Sequence, residues 1–85
     1  MMMRYFIFKC KGKYYLVDFY YYNNRVMCRI YEDYTFISEG LALFNSEDDP
    51  STYSKYYGEK LALTRALRYF MKDFRKVAWY AYKRA

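Results

Sequence analysis

The spacing of apolar residues changes once along the chain, from every second residue to a period of 3.6, and this switch restricts the fold more than any other feature. In residues 4–10 and 14–22, aromatic and β-branched side chains alternate with other residues, the pattern of strands with one buried face. Gly12, between Lys11 and Lys13, can take the positive φ that opens a tight hairpin. Asn23-Asn24 supplies a second turn, because asparagine tolerates left-handed backbone better than other non-glycine residues.

A two-residue turn at Asn23-Asn24 fixes a register. It pairs Tyr22 with Arg25, Tyr21 with Val26, Phe19 with Cys28 and Val17 with Ile30, which collects the apolar members on one face and sets Asp18 against Arg29 on the other. With Gly12-Lys13 at the centre of the first turn, Phe8 lies opposite Val17 and Phe6 opposite Phe19, so the core face extends over three strands. Cys10 then sits about 13 Å along the sheet from Cys28 and two strands across, farther than the roughly 7 Å between Cα atoms that a disulfide spans. Two free thiols are expected. Residues 34–44 read as a fourth strand, bulged or at an edge and interrupted at Gly40. Residues 45–54 read as a polar loop carrying Glu47-Asp48-Asp49, with Ser51 or Ser54 as a helix cap. Three consecutive carboxylates lack the spaced ligands and glycine of a calcium loop.

From about residue 55 to 83 the longer period takes over. Leu63, Ala66, Leu67, Phe70, Phe74, Val77, Ala78 and Ala81 fall within about 60° of one direction when each residue advances by about 100°. The stripe predicts one helix, about 39 Å long from Gly58 to its end, crossing the whole sheet. The opposite side gathers Leu61, Arg65, Arg68, Lys72, Arg75, Lys76, Trp79 and Lys83 within an arc of about 100°. Asp73 is the sole acid after Glu59, so few i,i+4 pairs neutralise this ridge. A solvated helix face is the plain reading; the indole among the cations makes the ridge a candidate binding surface, since arginine and tryptophan are enriched where binding energy concentrates.

The expected fold class is therefore α+β: an antiparallel sheet of three or four strands packed on one long C-terminal helix, as a single domain over residues 1–85. One helix covers one sheet face. The other is left with Tyr5, Ile7, Lys9, Tyr14, Leu16, Asp18, Tyr20, Tyr22, Arg25, Met27, Arg29 and Tyr31, among which Tyr20, Tyr22, Arg29 and Tyr31 are the candidate contact residues. This much aromatic surface exceeds what a solitary monomer usually exposes. Four occupants fit: a second copy forming a homodimer, a protein target, stacked nucleic-acid bases, or residues 36–44 folded back over it.

Composition narrows the function. The chain has 85 residues, fourteen of them tyrosine, with a net charge of +6, two cysteines and no histidine. Most general-base, triad and zinc-ligand schemes lack their parts, so a non-enzymatic protein with no cofactor and no metal is expected. No apolar run approaches the roughly 20 residues of a membrane span. Met1-Met2-Met3-Arg4 leads into the first strand without the apolar stretch of a signal peptide. A cytoplasmic protein with no membrane partner is the expectation.

Three stretches, Ile37-Ser38-Glu39-Gly40-Leu41-Ala42, Asp49-Pro50-Ser51-Thr52-Tyr53 and Gly58-Glu59-Lys60-Leu61-Ala62-Leu63-Thr64-Arg65-Ala66-Leu67, are similar to a pattern in small phage and prophage proteins. Those chains have a Gly-x-Ala strand, an Asp-containing loop with an aromatic residue, and a helix opening Gly-x-x-Leu-Ala-Leu-x-Arg-Ala. Asn45-Ser46-Glu47-Asp48 and Ser51 depart from the pattern, which weakens any shared metal or catalytic role. The resemblance implies a mobile-element accessory protein of strands followed by a helix, in a group that includes inhibitors of bacterial defence systems such as CRISPR nucleases. Such a protein would bind a host protein or nucleoprotein, using the basic ridge and the tyrosine-rich sheet. The alternative is a module that binds nucleic acid directly through the same two surfaces.

Overall fold

A computed structural model describes residues 2–43 and 55–85. The expected acidic loop and its serine caps lie outside these residues. Four antiparallel strands, β1 (Met2–Cys10), β2 (Lys13–Tyr22), β3 (Arg25–Glu32) and β4 (Thr35–Leu43), form a meander in the order β1-β2-β3-β4. Two helices follow, α1 (Lys55–Leu67) and α2 (Lys72–Arg84).

The register of β2 against β3 is the one the sequence predicts, Tyr22 opposite Arg25 through Val17 opposite Ile30, with Asn23 at φ 51° in the turn. The first hairpin is offset from expectation. Lys11 and Gly12 are its central residues, at φ 51° and 81°, so Phe6 pairs with Val17 and Phe8 with Tyr15. Two positive φ values suit the right-handed twist of the flanking strands, and Lys11 accepts the one that glycine alone was expected to carry. Because the offset is two residues, every side chain keeps its face. In the third turn both Asp33 and Tyr34 have positive φ, and β4 pairs with β3 through a bulge beside Ile30 and Tyr31. The fourth strand is thus both bulged and at an edge, as its sequence suggested.

One face of the sheet forms the core: Phe6, Phe8, Tyr15, Val17, Phe19, Val26, Cys28, Ile30 and Ala42, packed beneath Ala62, Leu63, Ala66, Leu67, Ala78 and Tyr82. Cys10 and Cys28 are both free thiols. Gly40 and Ala42 sit under α1; a Cβ on Gly40 would run into the backbone of Ala62 and Ala66. Ser38 Oγ donates to Ala66 O at 2.6 Å, so β4 and α1 are joined by both close packing and a hydrogen bond.

The single long helix is not present. Phe70 N donates to Leu67 O at 3.0 Å in a tight final turn, Met71 is extended (φ −67°, ψ 157°), and Arg75 N donates to Met71 O at 3.0 Å to begin α2. Coverage explains the break. Four strands at about 4.8 Å spacing span about 15–19 Å, whereas one helix is about 10 Å across. With the chain turned at residues 68–71, α1 covers β3 and β4 while α2 reaches β1. Arg75 Nη1 donates to Phe70 O at 2.5 Å, satisfying a carbonyl that the broken ladder leaves without a partner. Phe70 stacks on Phe74 at 4.4 Å, and Phe74 meets Tyr15 edge-on at 4.8 Å, so aromatic contacts fill the corner.

Leu61, expected on the outer ridge, is instead half-buried and packs against the core edge, while Leu63, Ala66 and Leu67 face the sheet as the periodicity predicts.

Candidate functional site

Both helices pack on the same side of the sheet, so the candidate contact residues divide between the sheet's outer face and the outward side of α2. Cross-strand pairing arranges the outer face in rows. Ile7, Leu16, Tyr31 and Phe36 form an apolar row across all four strands. The next row is Tyr5, Asp18, Arg29 and Glu39. Tyr5, Ile7 and Tyr14 are 61%, 59% and 58% exposed, values that mark contact area available to a partner. Ile7, Tyr14, Leu16, Tyr31, Asp33 and Tyr34, with Tyr15 from the core side, line a depression of about 620 Å³ at the end of the sheet where the first and third turns lie. It is mostly aromatic and aliphatic, with one carboxylate at the rim.

Tyr20, Arg29 and Tyr31 come together as the sequence implied. The Arg29 guanidinium lies 5.4 Å from the Tyr20 ring centre, and the Tyr20 hydroxyl donates to Asp18 Oδ2 at 3.2 Å. Arg29 Nε stands 3.7 Å from Glu39 Oε2, and Arg29 also bonds to Tyr31. Asp18 is buried although it is on the outer face. Burial pushes its carboxyl up, against the opposing pull of the Tyr20 bond and the Arg29 charge. Asp18 Oδ1 has no hydrogen-bond partner among the described residues. Tyr22 pairs with Arg25 in the ladder; its side chain is outside the described residues.

The cationic ridge does not form as one surface, since the break separates its two ends. Arg65 is turned to the sheet edge, where Nη1 donates to Leu41 O at 2.5 Å. Arg68 is at the corner, its guanidinium 4.8 Å from the Tyr69 ring centre. Lys72, Arg75, Lys76, Trp79 and Lys83 remain together and, with Tyr80, line a groove of about 410 Å³ along α2. Trp79 is half-buried rather than fully outward: it packs against the core edge and meets Tyr82 edge-on at 5.6 Å. Arg75 is half-buried through its bond to Phe70 O.

Sequence reasoning missed Tyr80 and Arg84. The Arg84 guanidinium lies 5.4 Å from the Tyr80 ring centre, and its Nη1 donates to the Tyr80 hydroxyl at 2.7 Å, which holds that exposed ring in place. The spacing of Lys72, Lys76 and Tyr80 at i, i+4 and i+8 was the available signal. Among the described residues no group of three His, Cys, Asp or Glu is placed to hold a metal ion. No described helix is long and apolar enough to cross a membrane.

Comparison with protein families, curated proteins and solved structures returns no match for this chain.

Proposed function

We propose that this protein is a non-catalytic binding module that docks on a partner protein through the outer face of its sheet. The observation that carries the reading is one-sided packing: α1 and α2 both lie on the core face, and no described residue covers the aromatic row opposite them. Exposed Tyr5, Ile7 and Tyr14 supply anchor area, and the depression beside Tyr14 and Tyr31 suits an apolar side chain of the partner. Lys9, its ammonium 5.3 Å from the Tyr14 ring centre, favours a partner with an acidic group at that edge and faster encounter. The resemblance to phage accessory proteins implies a host protein or nucleoprotein as the target, a defence nuclease among them, met in the cytoplasm.

A bound partner captured from host lysate, with and without nuclease treatment, tests this. The Tyr5→Ser, Ile7→Ser, Tyr14→Ser triple variant, shown by circular dichroism and melting to keep its fold, is expected to lose a nuclease-resistant partner that the native chain retains. Retention of the same proteins by the variant overturns the reading. So does a concentration-dependent dimer in the native chain that the variant abolishes, because the face would then serve self-pairing.

A further inference from the structure

We infer that the α2 groove is a site for single-stranded nucleic acid, separate from the sheet face. Lys72, Arg75, Lys76 and Lys83 line it with Trp79 and Tyr80, and no acid is among the lining residues. Among the described residues none of these four cations forms an ion pair. Their charge is therefore available to neutralise phosphates and release counterions. The span from Lys72 to Lys83 is about 16 Å at about 1.5 Å per residue.

The rings decide between kinds of polyanion. Tyr80 is 63% exposed and is held by Arg84, while Trp79 is fixed on its inner side by Tyr82. Two pre-set rings flanked by cations match a strand whose bases are unstacked and whose backbone runs along a basic track. A duplex hides its base faces. An acidic peptide would answer the cations and leave the rings without a stacking partner. The groove is on the helix layer, so a strand bound there leaves the outer sheet face open for a protein.

Trp79 is the chain's single tryptophan, so its fluorescence reports this groove alone. The full chain is titrated with oligothymidylate and oligouridylate of about 15 nucleotides, near the upper site size of about 4–16 for small modules. The same titration uses a DNA duplex of equal length and poly-L-glutamate. Single strands are expected to quench Trp79, with affinity falling between about 50 and 200 mM salt at a log–log slope near −0.7 per neutralised phosphate, about −2 to −3 in all. Lys72→Ala, Lys76→Ala, Lys83→Ala together should weaken binding at least about tenfold and reduce the slope by about 2, while melting stays unchanged. Tyr80→Ala should weaken it about tenfold through lost stacking. The Tyr5→Ser, Ile7→Ser, Tyr14→Ser variant should bind as the native chain does. Absence of quenching, equal binding of poly-L-glutamate or duplex, an unchanged slope in the lysine variant, or loss of binding in the sheet variant each overturns the assignment.

Discussion

The Tyr82 hydroxyl on α2 donates to Glu59 Oε1 on α1 at 3.0 Å, in a part of the protein where both side chains are buried. Arg4 of β1 approaches the same oxygen at 3.7 Å, so one carboxylate ties both helices to the first strand. Glu59→Ala should cost about 2–3 kcal/mol, because it leaves the buried phenol and the guanidinium without this acceptor. Glu59→Gln keeps an acceptor for Tyr82 and should cost less than about 1 kcal/mol. Denaturant unfolding of the two variants checks the order; equal losses would mean that the charge beside Arg4, which both variants remove, matters more than the acceptor for Tyr82.

Stability should carry a pH signature from the buried acids. Burial is the largest influence on both Glu59 and Asp18 and raises them above ordinary values of 4.5 and 3.8, with Tyr82 and Arg4, or Tyr20 and Arg29, pulling the other way. An acid with a raised folded pKa holds its proton more firmly when folded. Its contribution is fully present below the unfolded value and is lost as pH rises through the folded one. Glu32 acts in the opposite sense: the Tyr15 and Lys13 bonds lower it from 4.5, so its contribution is present above that value and lost as pH falls through the folded one. Asp18→Asn isolates one acid. It should raise the melting temperature at neutral pH, and the gain should vanish below pH 3.8, where native Asp18 is protonated in both states. A lower melting temperature at pH 7 would show that the Arg29 attraction outweighs burial.

The strands were legible because two-residue periodicity and turn chemistry act locally. A two-residue turn at Asn23-Asn24 was enough to set the register of β2 and β3. The helix break was not legible, since nothing at Arg68, Tyr69, Phe70 or Met71 is a glycine or proline, and Phe70 and Phe74 meet the core edge whether or not the helix is continuous. What breaks it is the width of the sheet, a tertiary demand without a local mark. Cations that periodicity placed on one ridge were therefore divided between the β4 edge, the corner and α2. Two of the three stretches resembling phage proteins lie within the described residues and pack in this fold: Gly40, Ala42, Ala62, Leu63 and Ala66 are buried, and Gly40 lies against the backbone of Ala62 and Ala66. Residues that pack two elements together say little about what the opposite face binds.

Gly40→Ala tests that packing directly. The added methyl would meet helix backbone at Ala62 and Ala66, which cannot rotate away as a side chain can. Displacing α1 should cost about 1–3 kcal/mol or more, the range of overpacked cores. The Ser38 bond to Ala66 O would stretch with it. Urea unfolding should show the loss, and an unchanged midpoint would mean that α1 sits farther from β4 than described.

The two thiols should differ in reactivity. Cys28 is fully buried at the sheet centre, and burial pushes its thiol well above the ordinary 9.0. The thiolate is the reactive form, so Cys28 is doubly protected. Cys10 is half-buried at the end of β1. An aromatic disulfide reagent at neutral pH should titrate one thiol in the folded protein and two in denaturant. Two fast thiols in the native state would contradict the centre of the core.

The corner between the helices gives the last test, because it should behave differently from the core. Phe19 has no exposed surface, and Phe19→Ala should cost about 3–5 kcal/mol. Phe70 is half-buried and depends on its stack with Phe74, so Phe70→Ala should cost clearly less, about 1–2 kcal/mol. Arg75→Ala removes the donor to Phe70 O and should cost about 1–2 kcal/mol despite lying at the surface of α2. Changing Arg68, Arg75 and Trp79 together would therefore lower stability as well as any binding, whereas Lys72, Lys76 and Lys83 are exposed and separate the two effects. Chemical denaturation of the single variants checks the ranking. If Phe70→Ala were as damaging as Phe19→Ala, the chain would be buried at residues 68–71, and the sharp turn between α1 and α2 would be wrong.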